Sequence, residues 1–213
     1  MLFAEREPDN CVKDPTKSAR LNVEVAIRVI DQCRDLGIFP IFASTELVFD
    51  GQAGNYSEES APKPILEYGR QKLEVEKYLQ SNTTDHLILR FPKTVGARPS
   101  DRSLFTNWIQ EIDIGTSVLQ CASDQIFSVQ FVDDVPKLVK CLVVLNTKGI
   151  IHLGDGKSHS RLDLLKELCL ELNGRGIPTP YIEEVSIDSF RFLEPRPRDV
   201  SLDTSKLKMV TGY

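Results

Sequence analysis

Hydrophobic and polar positions along this chain switch repeatedly between a helical period and short unbroken apolar runs. Residues 14–36 place Ala19, Val23, Ala26, Ile27, Ile30 and Cys33 three or four apart after an Asp14-Pro15-Thr16 start, which predicts an amphipathic helix. Gly37 is expected to end it as a C-cap residue. The run IFPIFA at 38–43 is apolar almost throughout, as a strand buried on both faces should be. A second helix is expected over 67–79 and a second buried strand, HLILRF, over 86–91. Further along, the pattern predicts a helix over 103–112, short strands at 118–121 and 126–132, and a helix over 134–145 that tolerates Pro136 in its first turn. A strand and turn at 149–154, a Ser160-capped helix over 161–173 and a strand at 181–185 complete the set, followed by a short turn or helix at 186–190. Residues 5–9 read as a loop with a Pro turn. Such alternation predicts an α/β fold around a parallel sheet.

Candidate chemistry concentrates between the first strand and the second helix. The strand delivers Ser44 and Thr45; a loop over 50–64 follows, long for a compact domain and so expected to be functional. Glu58-Glu59 reads as its solvated tip. The loop returns the chain to Tyr68-Gly69-Arg70-Gln71-Lys72, which puts Tyr68 and Lys72 one helical turn apart on one face. A phenol beside an ammonium is a plausible proton donor, and the positive charge is expected to draw the Tyr68 pKa down. A hydroxyl from Ser44 or Thr45 could hold a substrate oxygen against that phenol. The competing reading is a solvated Tyr-Lys pair on a helix surface. Ligands of open α/β sheets bind beyond the carboxyl ends of the strands, so Ser44/Thr45 and Phe91-Pro92 should line one crevice. Arg90 is expected to pair structurally under the sheet and Trp108 to pack in a core. Asn22, a poor helix former in mid-helix, is open between a surface and a supporting role. Arg196 and Arg198, stiffened by flanking prolines, could meet a phosphate or pair with Glu194 and Asp199.

Composition narrows the function classes. The 213 residues are 41% hydrophobic and 27% charged, enough for one sizeable core or a domain with a smaller lobe. Net charge is −5 and the pI about 5.3, with Lys and Arg scattered among acids, which argues against a nucleic-acid surface. No apolar run approaches the roughly 18 residues of a membrane span, and MLFAEREPDN is too short and acidic for a signal peptide. Five dispersed cysteines without CxxC read as reduced thiols of a cytoplasmic protein, and three histidines without ligand spacing predict no metal.

The succession Ser44-Thr45, VFDG (48–51), Tyr56-x-Glu58, Pro62-x-Pro64 and Tyr68-Gly69-x-x-Lys72 resembles the extended short-chain dehydrogenase/reductase family. Within that family it is similar to the dTDP-4-dehydrorhamnose reductase (RmlD-like) branch, which also includes the non-catalytic regulatory beta subunit of methionine adenosyltransferase. The R-P-R-x-x-x-L-D-x-S-K-L pattern at 196–207 resembles the branch's C-terminal lobe. The resemblance implies an NAD(P)-dependent reductase of a 4-keto nucleotide-diphosphate sugar. It makes Tyr68 the proton donor, Lys72 its electrostatic partner and ribose ligand, and Thr45 the hydrogen-bond donor to the carbonyl. It places NADP or NAD against Tyr68, Lys72, Ala4, Ser44, Phe91 and Pro92, and the sugar nucleotide against Thr45, Glu46, Lys93 and Arg196. Asn22 matches a family Asn that supports the helix near the catalytic end. Two alternatives stand beside this reading: a non-catalytic partner of a methionine adenosyltransferase catalytic subunit, and a nucleotide-sugar epimerase or dehydratase. A homodimer is a further expected assembly.

The chain also departs from the branch. Lys93 stands where many of its reductases have Trp, and residues 124–130 keep Asp124-Gln125 of a D-Q-x-G-x-P-T pattern and lose the rest. No G-x-G-x-x-G turn is present to bring backbone onto a pyrophosphate. Residues 4–9 resemble the stretch just after the fourth strand of a dinucleotide-binding half. The expected architecture is therefore a partial doubly wound, Rossmann-like parallel sheet with a smaller C-terminal α/β substrate lobe. Residues 1–97 would be the later half of the dinucleotide-binding domain and 98–213 the lobe, with 133–153 returning to the sheet. On this reading the chain is a fragment or a shortened protein, and the strand beginning at 38 has an exposed edge.

Overall fold

The computed structural model describes residues 4–212. The first half runs α1 (Pro8–Lys13), α2 (Pro15–Ala19), a π-helical turn (Arg20–Glu24), α3 (Val25–Asp35), β1 (Ile41–Thr45), α4 (Glu67–Asn82), β2 (Leu87–Phe91) and β3 (Lys93–Val95). The second half runs α5 (Leu104–Asp113), β4 (Val118–Ala122), β5 (Ile126–Phe127), β6 (Val129–Phe131), α6 (Val135–Val144), β7 (Gly149–His152), β8 (His159–Ser160), α7 (Arg161–Gly174), β9 (Tyr181–Val185) and α8 (Ser205–Thr211).

The long helix expected over 14–36 forms with a π turn in its middle and ends as its sequence dictates. Gly37 adopts φ +66°, and the N–H groups of Gly37 and Ile38 return to the Arg34 and Cys33 carbonyls at 3.1 and 2.7 Å. This is a Schellman closure. Residues 8 and 9, expected within a loop over 5–9, instead open the helix α1: Pro8 sits in the first turn, where its missing N–H costs nothing, and Asp9 complements the helix dipole. β1 starts at Ile41, later than expected, because Pro40 cannot donate to a ladder. The strand expected over 126–132 divides into β5 and β6 around Ser128, whose hydroxyl accepts the Leu202 N–H at 3.0 Å. The sequence pattern did not anticipate α8.

β1, β2 and β7 form a parallel sheet in that order, with Thr45 opposite Phe91 and Arg90 opposite His152. Alternation along β2 sends Ile88 to one face, against Val23, Ala26, Ile30, Val75 and Leu79 of the α3–α4 layer. It sends Leu87 and Leu89 to the other, against Leu138, Leu142 and Leu207 of α6 and α8. The sheet is thus wound on both faces. A second core gathers Trp108, Leu119, Phe127, Leu162 and Leu165 beside the pairs β4–β9, β3–β6 and β5–β8. The ends of β1 and β2 point at the junction between these cores.

Candidate active site

Tyr68 lies in the first turn of α4, and the start of that helix is fixed from a distance. Gly69 packs so tightly on the turn after β1 that a Cβ there would collide with the Leu47 carbonyl oxygen. The Glu194 carboxylate accepts the Glu67 N–H at 3.0 Å and the Arg70 guanidinium at 2.8 Å, capping α4 with a negative charge. Asn22 is buried, not at the surface. The π turn brings it inward, where it accepts the Glu5 N–H at 2.8 Å and donates to the Glu5 carbonyl at 3.0 Å and to Gln71 Oε1 at 2.7 Å. Residues 5–8 are thereby tied to α4 beside Tyr68.

Ser44, Thr45, Glu46, Tyr68, Phe91, Pro92 and Lys93 converge on one cleft of about 420 Å³ beyond the carboxyl ends of β1 and β2. Lys72 lies beneath it, buried, donating to the Ala43 carbonyl at 2.9 Å. Arg196 lines an adjoining cavity of about 250 Å³, which shares Glu46, Lys93 and Arg161 with the first. Ala4 is not among the residues lining either cavity.

The electrostatics correct two expectations. Burial and the Glu46 carboxylate hold the Tyr68 phenol above its ordinary pKa, and Lys72 does not reverse this. The Lys72 ammonium sits 5.8 Å from the Tyr68 ring centroid, is engaged by the Ala43 carbonyl, and is itself lowered to about 8 by burial. Second, the Thr45 proton is committed. Its hydroxyl donates to Glu46 Oε2 at 2.8 Å and accepts the Leu47 N–H at 3.2 Å. The unengaged hydroxyl is that of Ser44, buried with no hydrogen-bond partner among the described residues. Burial raises the Glu46 pKa and lowers that of Lys93, each opposed by the other's charge.

Three other sequence expectations change. Arg196 pairs with Asp9 at 2.6 Å, and Arg198 with Asp124 and Asp188, instead of with Glu194 and Asp199. Arg196 Nη1 is buried without a hydrogen-bond partner among the described residues. Glu58 is not a solvated tip, because its carboxylate accepts the His152 N–H at 2.8 Å. Arg90 does pair under the sheet, with Glu76 through two bonds of 3.0 and 2.7 Å. Sequence reasoning missed Arg161, which lines both cavities, hydrogen-bonds Gln125 Oε1 at 3.1 Å and lies 5.7 Å from the Trp108 ring centroid. It missed Phe190 and Phe192 as well, which line the second cavity. The Ser160 cap marks a helix start, yet nothing in the local sequence shows that this start faces the cleft.

The arrangement offers a protonated phenol, an unengaged hydroxyl and a buried ammonium at one end, and a cationic, aromatic chamber at the other. A family model described as the RmlD substrate binding domain matches residues 2–213. The chain belongs to this family. Among relatives, it is 26% identical to methionine adenosyltransferase 2 subunit beta of Bos taurus over 211 residues, covering 96% of this chain and 62% of that protein. This RmlD-family chain thus spans less than two thirds of the bovine relative's length. It is 27% identical to the probable low-salt glycan biosynthesis reductase Agl14 of Haloferax volcanii, over 98% of the chain and 70% of that protein. Its fold superposes on a dTDP-4-dehydrorhamnose reductase of Bacillus anthracis, solved in complex with NADP, with a TM-score of 0.87 at 21% identity, covering 97% and 71% of the two chains. Among the described residues, no helix is long and apolar enough to cross a membrane, and no group of three or more His, Cys, Asp or Glu is placed to hold a metal ion.

Proposed function

We propose that this chain carries the reaction centre and substrate chamber of an NAD(P)-dependent reductase acting on a 4-keto nucleotide-diphosphate sugar. The observation that carries this reading is the convergence of Tyr68, Lys72 and the unpartnered Ser44 hydroxyl at the ends of β1 and β2. Ser44, Tyr68, Lys72, Phe91 and Pro92 are the residues that would hold the nicotinamide end of the dinucleotide. The orphaned Ser44 hydroxyl and the N–H groups Lys72 keeps beyond its Ala43 bond suit a polar ligand of that kind. When bound, the cofactor supplies hydride to the carbonyl carbon.

The chain's own residues manage the oxygen. A phenol held above its ordinary pKa stays protonated at neutral pH and so keeps a proton to give to the forming alkoxide, although the raised pKa lowers the driving force for that transfer. Ser44 has its proton free to orient the carbonyl. Thr45 can join it once Glu46 takes up a proton, because a neutral Glu46 donates to Thr45 Oγ1 and releases that hydroxyl's own proton. The test is NAD(P)H oxidation with 4-keto pyrimidine-nucleotide sugars. Tyr68→Phe is expected to lower turnover at least about 100-fold with an unchanged melting temperature, and unchanged turnover would refute the assignment.

The bovine relative favours a second reading, a regulatory subunit for a methionine adenosyltransferase catalytic subunit. That reading expects a stoichiometric complex on size-exclusion chromatography with the catalytic subunit and no NAD(P)H consumption with any keto sugar.

A further inference from the structure

Charge along the two-part cleft is unevenly satisfied, and the imbalance centres on Lys93. Tyr68, Ser44 and Thr45 line only the reaction-centre part, Arg196 only the outer part, and Glu7, Glu46, Lys93 and Arg161 line both. The order along the cleft is therefore reaction centre, then Lys93 with Arg161, then Arg196. Arg196 has its carboxylate, Asp9. Neither Lys93 nor Arg161 has a carboxylate within ion-pair distance among the described residues. Arg161 spends one N–H on the neutral Gln125 amide oxygen. Among the described residues the Lys93 ammonium has no hydrogen-bond partner, and it rests 5.9 Å from the Phe127 ring centroid. Glu46, the acid whose charge acts most on Lys93, has a carboxylate oxygen occupied by the Thr45 hydroxyl. A half-buried cation with three unspent donors is costly unless a ligand completes it.

The position of Lys93 limits what that ligand group can be. In a nucleotide sugar the diphosphate hangs on C1, across the ring from C4, and Arg196 offers a buried, unpartnered Nη1 in the outer part. Lys93 lies between those two ends, along the flank of the ring where C5 carries its exocyclic carbon next to C4. Building on the reductase reading, we infer that Lys93 selects a sugar nucleotide whose exocyclic carbon is an oxyanion, a uronate carboxylate, in preference to a neutral hydroxymethyl or methyl group. Lys93 lies opposite Val129 in the β3–β6 pair, so its backbone is held in a ladder.

The test is calorimetric titration of the full chain with UDP-glucuronate, UDP-glucose and UDP, for wild type and for Lys93→Met. The expected result is at least tenfold tighter binding of UDP-glucuronate than of UDP-glucose by wild type. In Lys93→Met that ratio should fall to within twofold, while UDP-glucose affinity moves less than threefold. A wild-type ratio within twofold overturns the inference without any variant, and leaves the reductase reading standing if both sugars bind. Equal weakening of both ligands by Lys93→Met would assign Lys93 to the diphosphate. An unchanged ratio would make it only a counter-charge to Glu46. Failure of folded protein to bind any of the three ligands would sink both readings.

Discussion

Arg90 and Lys93 are three positions apart, yet they sit in opposite kinds of electrostatic environment. Arg90 is 2% exposed in its side chain and its partner Glu76 is fully buried. All three of its guanidinium nitrogens are engaged, two by Glu76 and one by His152 Nε2 at 3.2 Å. His152 in turn meets the Tyr56 carbonyl through Nδ1 at 3.1 Å, and Phe49 stacks on Tyr56 at 4.2 Å. This cluster locks α4, β2, β7 and the 50–64 loop together. Around Lys93, by contrast, the Ser44 hydroxyl, one Arg196 nitrogen and the lysine itself have no hydrogen-bond partner among the described residues. A polar network completed by protein is a structural fixture, and one left incomplete is a place for a ligand.

Substitution can break that contrast directly. The largest effect expected is from Arg90→Met, which leaves Glu76 buried and unpaired and should cost about 3–5 kcal/mol in urea unfolding. Lys93→Met, in the same assay, should cost nothing measurable or stabilise slightly. Equal losses would erase the distinction between the two sites. Next comes acid. Burial and the Arg90 charge lower the His152 pKa from 6.5 to about 3, so the unfolded chain binds a proton that the folded chain refuses between those values. Stability is therefore full above about pH 6.5 and lost as pH falls toward 3, on the order of 2 kcal/mol at pH 5. Urea midpoints at pH 7 and pH 5 should show this loss in wild type and a smaller one in His152→Gln.

Two smaller effects sharpen the account. Helix propensity alone would make Gly69→Ala stabilising by about 1 kcal/mol. The collision with the Leu47 carbonyl should reverse the sign, to a loss of about 1 kcal/mol or more, and a raised melting temperature would show that α4 does not press on that turn. Lys166 pairs with Glu184 at 2.7 Å with both side chains about half exposed, so Lys166→Ala should change stability by no more than about 0.5 kcal/mol.

Much of this was legible in the chain because it is local. Apolar runs ending in Ser44-Thr45 and Phe91-Pro92 announce two strand ends, and the four-residue spacing of Tyr68 and Lys72 sets them on one helix face. What was hidden depends on contacts made far along the chain. Asp9 and Arg196 meet across 187 positions, Glu194 caps a helix 127 positions earlier, and Arg161 reaches the cleft only because β8 pairs with β5. The Thr45–Glu46 bond joins neighbours but needs the tight turn at Glu46–Val48 to form. The raised Tyr68 pKa was misjudged because a Tyr-Lys spacing conveys charge and says nothing of burial. Pro8 was misread as a turn because proline opens both turns and helices.

The most direct measurement is a titration of folded protein with NADPH and NADH, followed by calorimetry, for wild type and Lys72→Met. The account predicts saturable binding of one dinucleotide, weakened at least tenfold in Lys72→Met. No binding by a folded sample, or equal binding by the variant, would contradict the claim that this cleft is a reductase site.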